Sequence, residues 1–398
     1  MREDRAYDVV LFGATGFTGG LTAEYLARHA PPGLRWALAG RNPAKLSAVR
    51  DRLAGIDPAL AGLPLLTADA GDPETLRRVT GDARVVASTV GPYVRHGEPL
   101  VAACARAGTD YVDITGEPEF VDTTYVRHHA EAVRTGARLV HACGFDSVPH
   151  DLGVWYTVRQ LPADGPVTVD GFVRAGGRFS AGTYHSALTA FSRAAEAGRA
   201  ARERRAVEPR PPGRRVRAVA GRVGRSAELG MWAVPLPTID PQVVRRSAAA
   251  RPEYGPDFRY RHFAAVRRLP TIVVGAVGLA GLTGLVKVPP ARRWLLGRLA
   301  SGQGPSAEQR AKSWFRVRFV GSAGGRRVVT EVAGGDPGYD ETAKMLAESA
   351  LCLALDDDLP PVAGQVTPVT AMGDALLRRL TAAGLTFRTL EVQGGAPC

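Results

Sequence analysis

The sequence predicts an α/β protein: an N-terminal Rossmann-like, doubly wound parallel sheet followed by a second, α+β domain. Three observations predict it. Short β-branched runs alternate with helical patterns through the first 150 residues, and a glycine turn joins the first run to the first helical pattern. After Gly144 the alternation gives way to longer β-like segments. Strands separated by helices imply parallel pairing with right-handed crossovers. The chain has 398 residues, 45% hydrophobic and 23% charged, which suits two packed domains and excludes disorder, collagen and a coiled coil.

Each element follows from local pattern. Buried β-branched runs place strands at 8–12, 35–39, 63–68, 84–89, 111–113 and 138–142. Amphipathic spacing places helices between them at 18–28, 43–53, 73–79, 97–107 and near 121–135. Further on, β-like segments fall at 167–175, 314–320 and 327–332, and helices at 340–355 and 368–383. The expected division is 1–150, 151–360, and a C-terminal helical segment at 361–398 packing back on the first domain.

The turn Gly13-Ala14-Thr15-Gly16-Phe17-Thr18-Gly19 leaves the first strand and opens the first helix. Its glycines permit a tight turn, close backbone approach to a pyrophosphate, and close packing of helix on strand. The helix N-terminus supplies N–H donors and positive potential to phosphates. In this βαβ setting the turn predicts a dinucleotide site. The second strand ends in Leu38-Ala39-Gly40-Arg41-Asn42, with a guanidinium where NAD enzymes place a carboxylate. Arg41 can hold a 2′-phosphate through two hydrogen bonds, so the expected cofactor is NADPH. Asp69, after the third strand, faces the adenine edge or caps a helix; the sequence leaves both open.

Several chemistries are excluded. The four lysines have Arg41, Thr283, Glu308 and Asp340 four residues before them, so the Y-x-x-x-K relay of short-chain dehydrogenases is absent. There is no H-E-x-x-H and no G-x-S-x-G. Cys104, Cys143, Cys352 and Cys398 are widely spaced and form no C-x-x-C pair, which predicts neither a metal site nor a disulfide framework. The N-terminus is polar and then runs directly into a strand, with no apolar signal stretch, so a cytoplasmic location is expected.

Several segments together resemble the saccharopine dehydrogenase-like NADP-binding reductases. They are GATGFTG at 13–19, AGR at 39–41, TVGPYVRHGEPLVAACARAGTDYVDITGE at 89–117 and CGFDSVPHDLG at 143–153. The turn around Gly182 to Tyr184, GYDETAKMLAESAL at 338–351 and TPVTAMGDALLRRLTAAGLTF at 367–387 complete the set. Within that group the chain looks most like actinobacterial trans-acting enoyl reductases. That resemblance implies reduction of an α,β-unsaturated acyl thioester in polyketide or lipid biosynthesis, presented by an acyl carrier protein or a polyketide synthase. Two alternatives stay open: a saccharopine-type or imine reductase acting on C–N bonds, and a non-catalytic, membrane-associated NADP-binding protein.

Carried onto this chain, the resemblance places Val90, Gly91 and Pro92 beside the nicotinamide half of the cofactor. Glu117, Phe145, Asp146 and Ser147 fall on the substrate side. The candidate proton donors are Tyr93, His96, His150 and Tyr184, each of which could equally serve loop packing or helix capping. His141, between apolar residues, reads as a satisfied core histidine; His128 and His129 read as residues of a solvated helix.

Two segments point to partners. Residues 269–286 are uncharged and largely apolar, flanked by Arg267, Arg268 and Lys287. They fit a buried or homodimer-interface helix, a peripheral attachment to lipid at the inner face of the cell membrane, or a span. Residues 201–225 are Arg-rich and broken by prolines and glycines, as in a mobile surface loop or basic hairpin. Such a loop would suit an acidic carrier protein or anionic headgroups, or be a solvated insertion. The net charge of +12 agrees with acidic partners, but no aromatic interleaving, helix-turn-helix or zinc module supports nucleic acid.

Overall fold

β1 (Tyr7–Phe12) is apolar on both faces, so it must be covered on both sides, and it takes the centre of a parallel sheet. In the computed structural model, which describes residues 4–176, 193–268 and 304–394, the expected alternation follows. It runs α1 (Phe17–His29), β2 (Trp36–Gly40), α2 (Pro43–Ala54), β3 (Leu65–Thr67), α3 (Pro73–Asp82), β4 (Ala83–Ser88), α4 (Tyr93–His96) and α5 (Glu98–Ala107). β5 (Asp110–Asp113), α6 (Pro118–Thr135) and β6 (Arg138–Val140) complete it. A late strand, β14 (Gly364–Val366), pairs in parallel with β6 and gives seven strands in the order β14-β6-β5-β4-β1-β2-β3. Order reverses between β1 and β4, which leaves a crevice at their carboxyl ends.

α7 (Val148–Val158) then links the two sheets. Pro149 sits in its first turn, where no intrahelical N–H is required. The second sheet contains β7 (Pro166–Gly176), β8 (Arg215–Ala218), β9 (Gly224–Ser226), β10 (Met231–Pro235) and β11 (Asp257–Val266). β12 (Trp314–Ala323), β13 (Arg326–Gly334) and β15 (Thr386–Gln393) extend it to eight strands. β12 alternates strictly: Phe315, Val317 and Phe319 face inward, while Trp314 and Arg316 face outward. α7 lies on that inner face. Gly153 makes the contact possible, since a Cβ there would stand 2.2 Å from the Phe319 ring. The resulting core runs without a break from Val9 and Leu11 to Phe315 and Phe319. Each such fully buried side chain contributes about 1.5–3 kcal/mol.

α8 (Ala194–Val207) packs on α6, α9 (Asp240–Ala250) lies against α7, β8 and β11, α10 (Ala307–Ala311) precedes β12, and α11 (Asp340–Leu355) returns to pack on α1, β4 and β5. The expected helix 368–383 is two helices, α12 (Pro368–Ala371) and α13 (Gly373–Ala382), broken where Gly373, opening the second, adopts a left-handed φ of 46°.

Two expectations are corrected. The basic stretch 201–225 is not a mobile loop. It continues α8 and then forms β8, and three of its arginines are matched internally. Arg204 is 3% exposed, 2.5 Å from Asp122, and bonded to Glu208. Arg214 donates to the carbonyls of Ala248, Arg251 and Gly255, and Arg217 pairs with Asp257. His128 and His129 are likewise not solvated. His128 sits beside Glu98, and His129 stacks on Tyr125 and accepts the Gln365 N–H at 3.0 Å, pinning α6 to β14. Residues 269–286 and Tyr184 lie outside the described residues. No described helix is long and apolar enough to cross a membrane.

Candidate active site

The glycine turn has the geometry its spacing predicts. Gly13 has φ 94°, and a Cβ there would stand 2.7 Å from both Thr89 Oγ1 and Val90 Cγ2. At Gly19 a Cβ would stand 2.2 Å from the Gly13 carbonyl oxygen, so helix and strand can pack only with glycine there. α1 begins at Phe17 with Gly16 as its N-cap; no side chain caps it and its first turn carries no acid. The N–H groups around Thr15, Phe17 and Thr18 therefore stand at an uncapped helix N-terminus, as a pyrophosphate requires. Ala14 is buried beneath the turn. Phe17 packs edge-on against Tyr339 and lies under the Arg310 guanidinium. Thr89, which sequence reasoning did not single out, donates through Oγ1 to the Gly13 carbonyl at 3.1 Å and locks β4 to the turn.

Arg41 is exposed at the end of β2, next to Asn42, whose side chain caps α2 by accepting the Lys45 N–H. Asp69 is exposed at the end of β3, where it accepts the Gly71 N–H at 2.8 Å. The cap of α3 is Asp72, so of the two roles open to Asp69 the helix cap belongs to its neighbour.

Val90, Gly91 and Pro92 form the loop leaving β4, with a cis bond between Gly91 and Pro92. Glu117, 4% exposed after β5, accepts the N–H groups of Tyr93 at 3.2 Å and Val94 at 2.8 Å, so it caps α4. Tyr93 is a correction. Its hydroxyl is buried, donates to the Ser88 carbonyl at 2.9 Å, and is held well above the ordinary phenol value by burial and by the charge of Asp113. It braces the loop and does not face the crevice as an acid. His96 is exposed at the end of α4. His141 is the satisfied core residue expected, with Asp113 Oδ2 at 2.7 Å from Nδ1 and Thr124 Oγ1 at 3.2 Å from Nε2.

The segment after β6 carries the remaining candidates. Ala142 adopts φ 60°, a left-handed conformation costing a non-glycine residue about 1–2 kcal/mol, and its N–H is held by Asp113 Oδ1 at 3.0 Å. Burial pushes the neighbouring Cys143 thiol up, which makes it inert. The Phe145 N–H donates to Thr342 Oγ1 at 3.1 Å, and its ring lies between Phe315 and His150. Asp146 is only partly covered; burial and the charge of Asp240 raise its carboxyl to about 6. Ser147 is fully buried, so its hydroxyl does not reach the substrate side as expected.

His150, on the first turn of α7, is 2% exposed, with Nδ1 2.7 Å from Asp240 Oδ1. Asp240 Oδ2 accepts the Thr238 hydroxyl and lies 3.5 Å from His262 Nε2, and His262 Nδ1 is 2.8 Å from the Tyr260 hydroxyl. Burial drives the His262 imidazole down to about 4. Sequence reasoning found His150 but not Asp240 or His262, because α9 and β11 bring them in from distant parts of the chain.

Comparisons with known proteins agree with this geometry. Residues 9–140 match the saccharopine dehydrogenase NADP binding domain model. A Mycobacterium tuberculosis protein whose name places it provisionally among trans-acting enoyl reductases is 41% identical, covering 98% of this chain and 98% of its own. The trans-acting enoyl reductase of Mycobacterium ulcerans is 38% identical over 96% and 97% of the two chains. Apo saccharopine dehydrogenase (L-Glu forming) from Saccharomyces cerevisiae, 13% identical, shares the fold with a TM-score of 0.53 over 96% of this chain and 99% of its own. The protein is an NADP-dependent oxidoreductase and its cofactor is NADPH. The chain belongs to the saccharopine dehydrogenase-like NADP-binding reductases, in the group whose members are named trans-acting enoyl reductases.

Proposed function

We propose that the protein reduces the carbon–carbon double bond of an α,β-unsaturated acyl thioester, working as a separate enoyl reductase in polyketide or lipid biosynthesis. The observation that carries this reading is full-length similarity to proteins named for that activity. It is supported by a crevice at the carboxyl edge of the first sheet, where the glycine turn, the loop 90–93 and the segment 141–151 all emerge.

Bound NADPH would supply the hydride for the substrate β-carbon, with solvent supplying the proton for the α-carbon, so that the products would be the saturated thioester and NADP⁺. The chain's own residues do the rest. Gly13, Gly16 and the N-terminus of α1 hold the pyrophosphate, and Arg41 faces the 2′-phosphate. Glu117 fixes the loop 90–93 by its backbone, so the nicotinamide side of the crevice is shaped before substrate arrives. Phe145, on the segment leaving β6, packs edge-on against Phe315 of the second sheet and so ties that segment to it beside the crevice.

Oxidation of NADPH across a panel of thioesters tests the proposal. Consumption with enoyl thioesters, one equivalent per double bond, is the expected result. Consumption only with an amine together with a keto acid would replace it by C–N reduction.

A further inference from the structure

Two buried imidazoles and one buried carboxylate converge at the junction of α7, α9 and β11. His150, Asp240 and His262 are each 4% exposed or less, and one ligand-type atom from each lies within 4.8 Å of the other two. Buried polar atoms in folded proteins nearly always find hydrogen-bond partners. Here His150 Nδ1 and Nε2, Asp240 Oδ1 and His262 Nε2 have none of acceptable geometry, although Nδ1 stands only 2.7 Å from Oδ1. A hydrogen bond aims its N–H at the acceptor. Donor atoms that crowd together without aiming at one another have the arrangement of ligands sharing a central cation.

We propose that His150, Asp240 and His262 bind a divalent transition-metal ion of the zinc class. Zinc takes imidazole nitrogen and carboxylate oxygen at about 2.0–2.2 Å, which sets tetrahedral donors about 3.3 Å apart. His150 Nδ1 stands 2.7 Å from Asp240 Oδ1, and the three ligand-type atoms all lie within 4.8 Å of one another, a spread that closing around an ion would bring to that value. Two imidazoles favour zinc, cobalt or nickel over magnesium and calcium, which prefer oxygen alone. The outer shell is in place: the Tyr260 hydroxyl is 2.8 Å from His262 Nδ1 and can orient the ring, and the Thr238 hydroxyl donates to Asp240 Oδ2. The site would tie the first turns of α7 and α9 to β11. The absence of metal-ligand spacing in the sequence is no obstacle, since the three ligands come from separate elements.

Chelator-treated full-length protein is titrated with Zn²⁺ by calorimetry and with Co²⁺ by visible absorption. One equivalent should bind, with d–d bands of nitrogen and oxygen ligation for Co²⁺ and a rise in melting temperature on adding Zn²⁺. Asp240→Asn and His262→Gln should each weaken binding at least a hundredfold, while His96→Ala, at an exposed histidine, leaves it unchanged. Failure of the wild-type protein to bind Zn²⁺, Co²⁺ or Ni²⁺ at micromolar concentration would overturn the proposal without any variant. So would binding that His96→Ala removes, or that survives both Asp240→Asn and His262→Gln.

Discussion

The Glu117 carboxylate accepts the backbone N–H of Val94 at 2.8 Å and, with its other oxygen, that of Tyr93, so a buried acid from the end of β5 holds the loop leaving β4. This fixes the backbone of that loop rather than a reacting side chain. Glu117→Gln keeps one acceptor oxygen and leaves one buried N–H unmatched, which costs about 1–3 kcal/mol. The expected outcome is a lower melting temperature and NADPH affinity reduced about tenfold. An unchanged affinity by fluorescence titration would remove the loop from the cofactor site.

Gly13 carries both a left-handed φ and a close approach. Gly33 shares the first property, with φ 84°, but a Cβ there would meet nothing within 4 Å. Both alanine substitutions should cost about 1–2 kcal/mol of stability from backbone strain. Only Gly13→Ala should also weaken NADPH binding, by more than tenfold. Equal effects on affinity would mean that strain alone explains the glycine.

Arg41 stands exposed at the end of β2. A charge-assisted contact to the 2′-phosphate contributes about 1.5–3 kcal/mol. Arg41→Ala should therefore weaken NADPH about 10- to 100-fold and leave NADH unchanged. Parallel titrations check it, and an equal loss for both cofactors would place the 2′-phosphate elsewhere.

Glu331 joins β13 to its neighbours on both sides, through Arg318 of β12 at 2.7 Å and Arg388 of β15 at 2.6 Å. Burial alone would raise its carboxyl, but the bonds from Arg318 and Arg388 and their charge hold it below the ordinary value of 4.5. A carboxyl depressed in the folded state stabilises above its unfolded value, and this contribution is lost as pH falls through the folded one. Both arginines are more than a third exposed, so solvent screening limits the contribution to about 1 kcal/mol. Glu331→Gln should be less stable than wild type at neutral pH, and the gap should close below pH 4.5. Denaturant unfolding across pH measures it; a constant gap would contradict the assignment.

How far the sequence could be read depended on how local each feature is. The strands around Val9, Val85 and Val112 are buried on both faces, and their β-branched runs announce themselves. Pro43 and Pro73, each behind a capping Asn42 or Asp72, mark helix starts without ambiguity. α7 has no counterpart among the expected helices; Pro149 sits in its first turn, where sequence alone does not separate a helix start from a breaker. The Arg-rich stretch reads as a loop or basic hairpin because nothing local reveals that the distant Asp122 buries Arg204; only the i,i+4 pairing with Glu208 is contiguous. The glycine turn is legible for the same reason as the early strands: its residues are contiguous. The capping of α4 by Glu117 is not legible in sequence, because it depends on two strand ends meeting across the sheet. Asp240 and His262 carry no local signal at all.

The most direct measurement follows deuterium from NADPH labelled at the transferring position of C4 into the product of an enoyl thioester. The account predicts a saturated thioester carrying one deuterium at the β-carbon, with one NADPH oxidised for each. Unlabelled product, or label found only on the carbon of an amine formed from a keto acid, would contradict it.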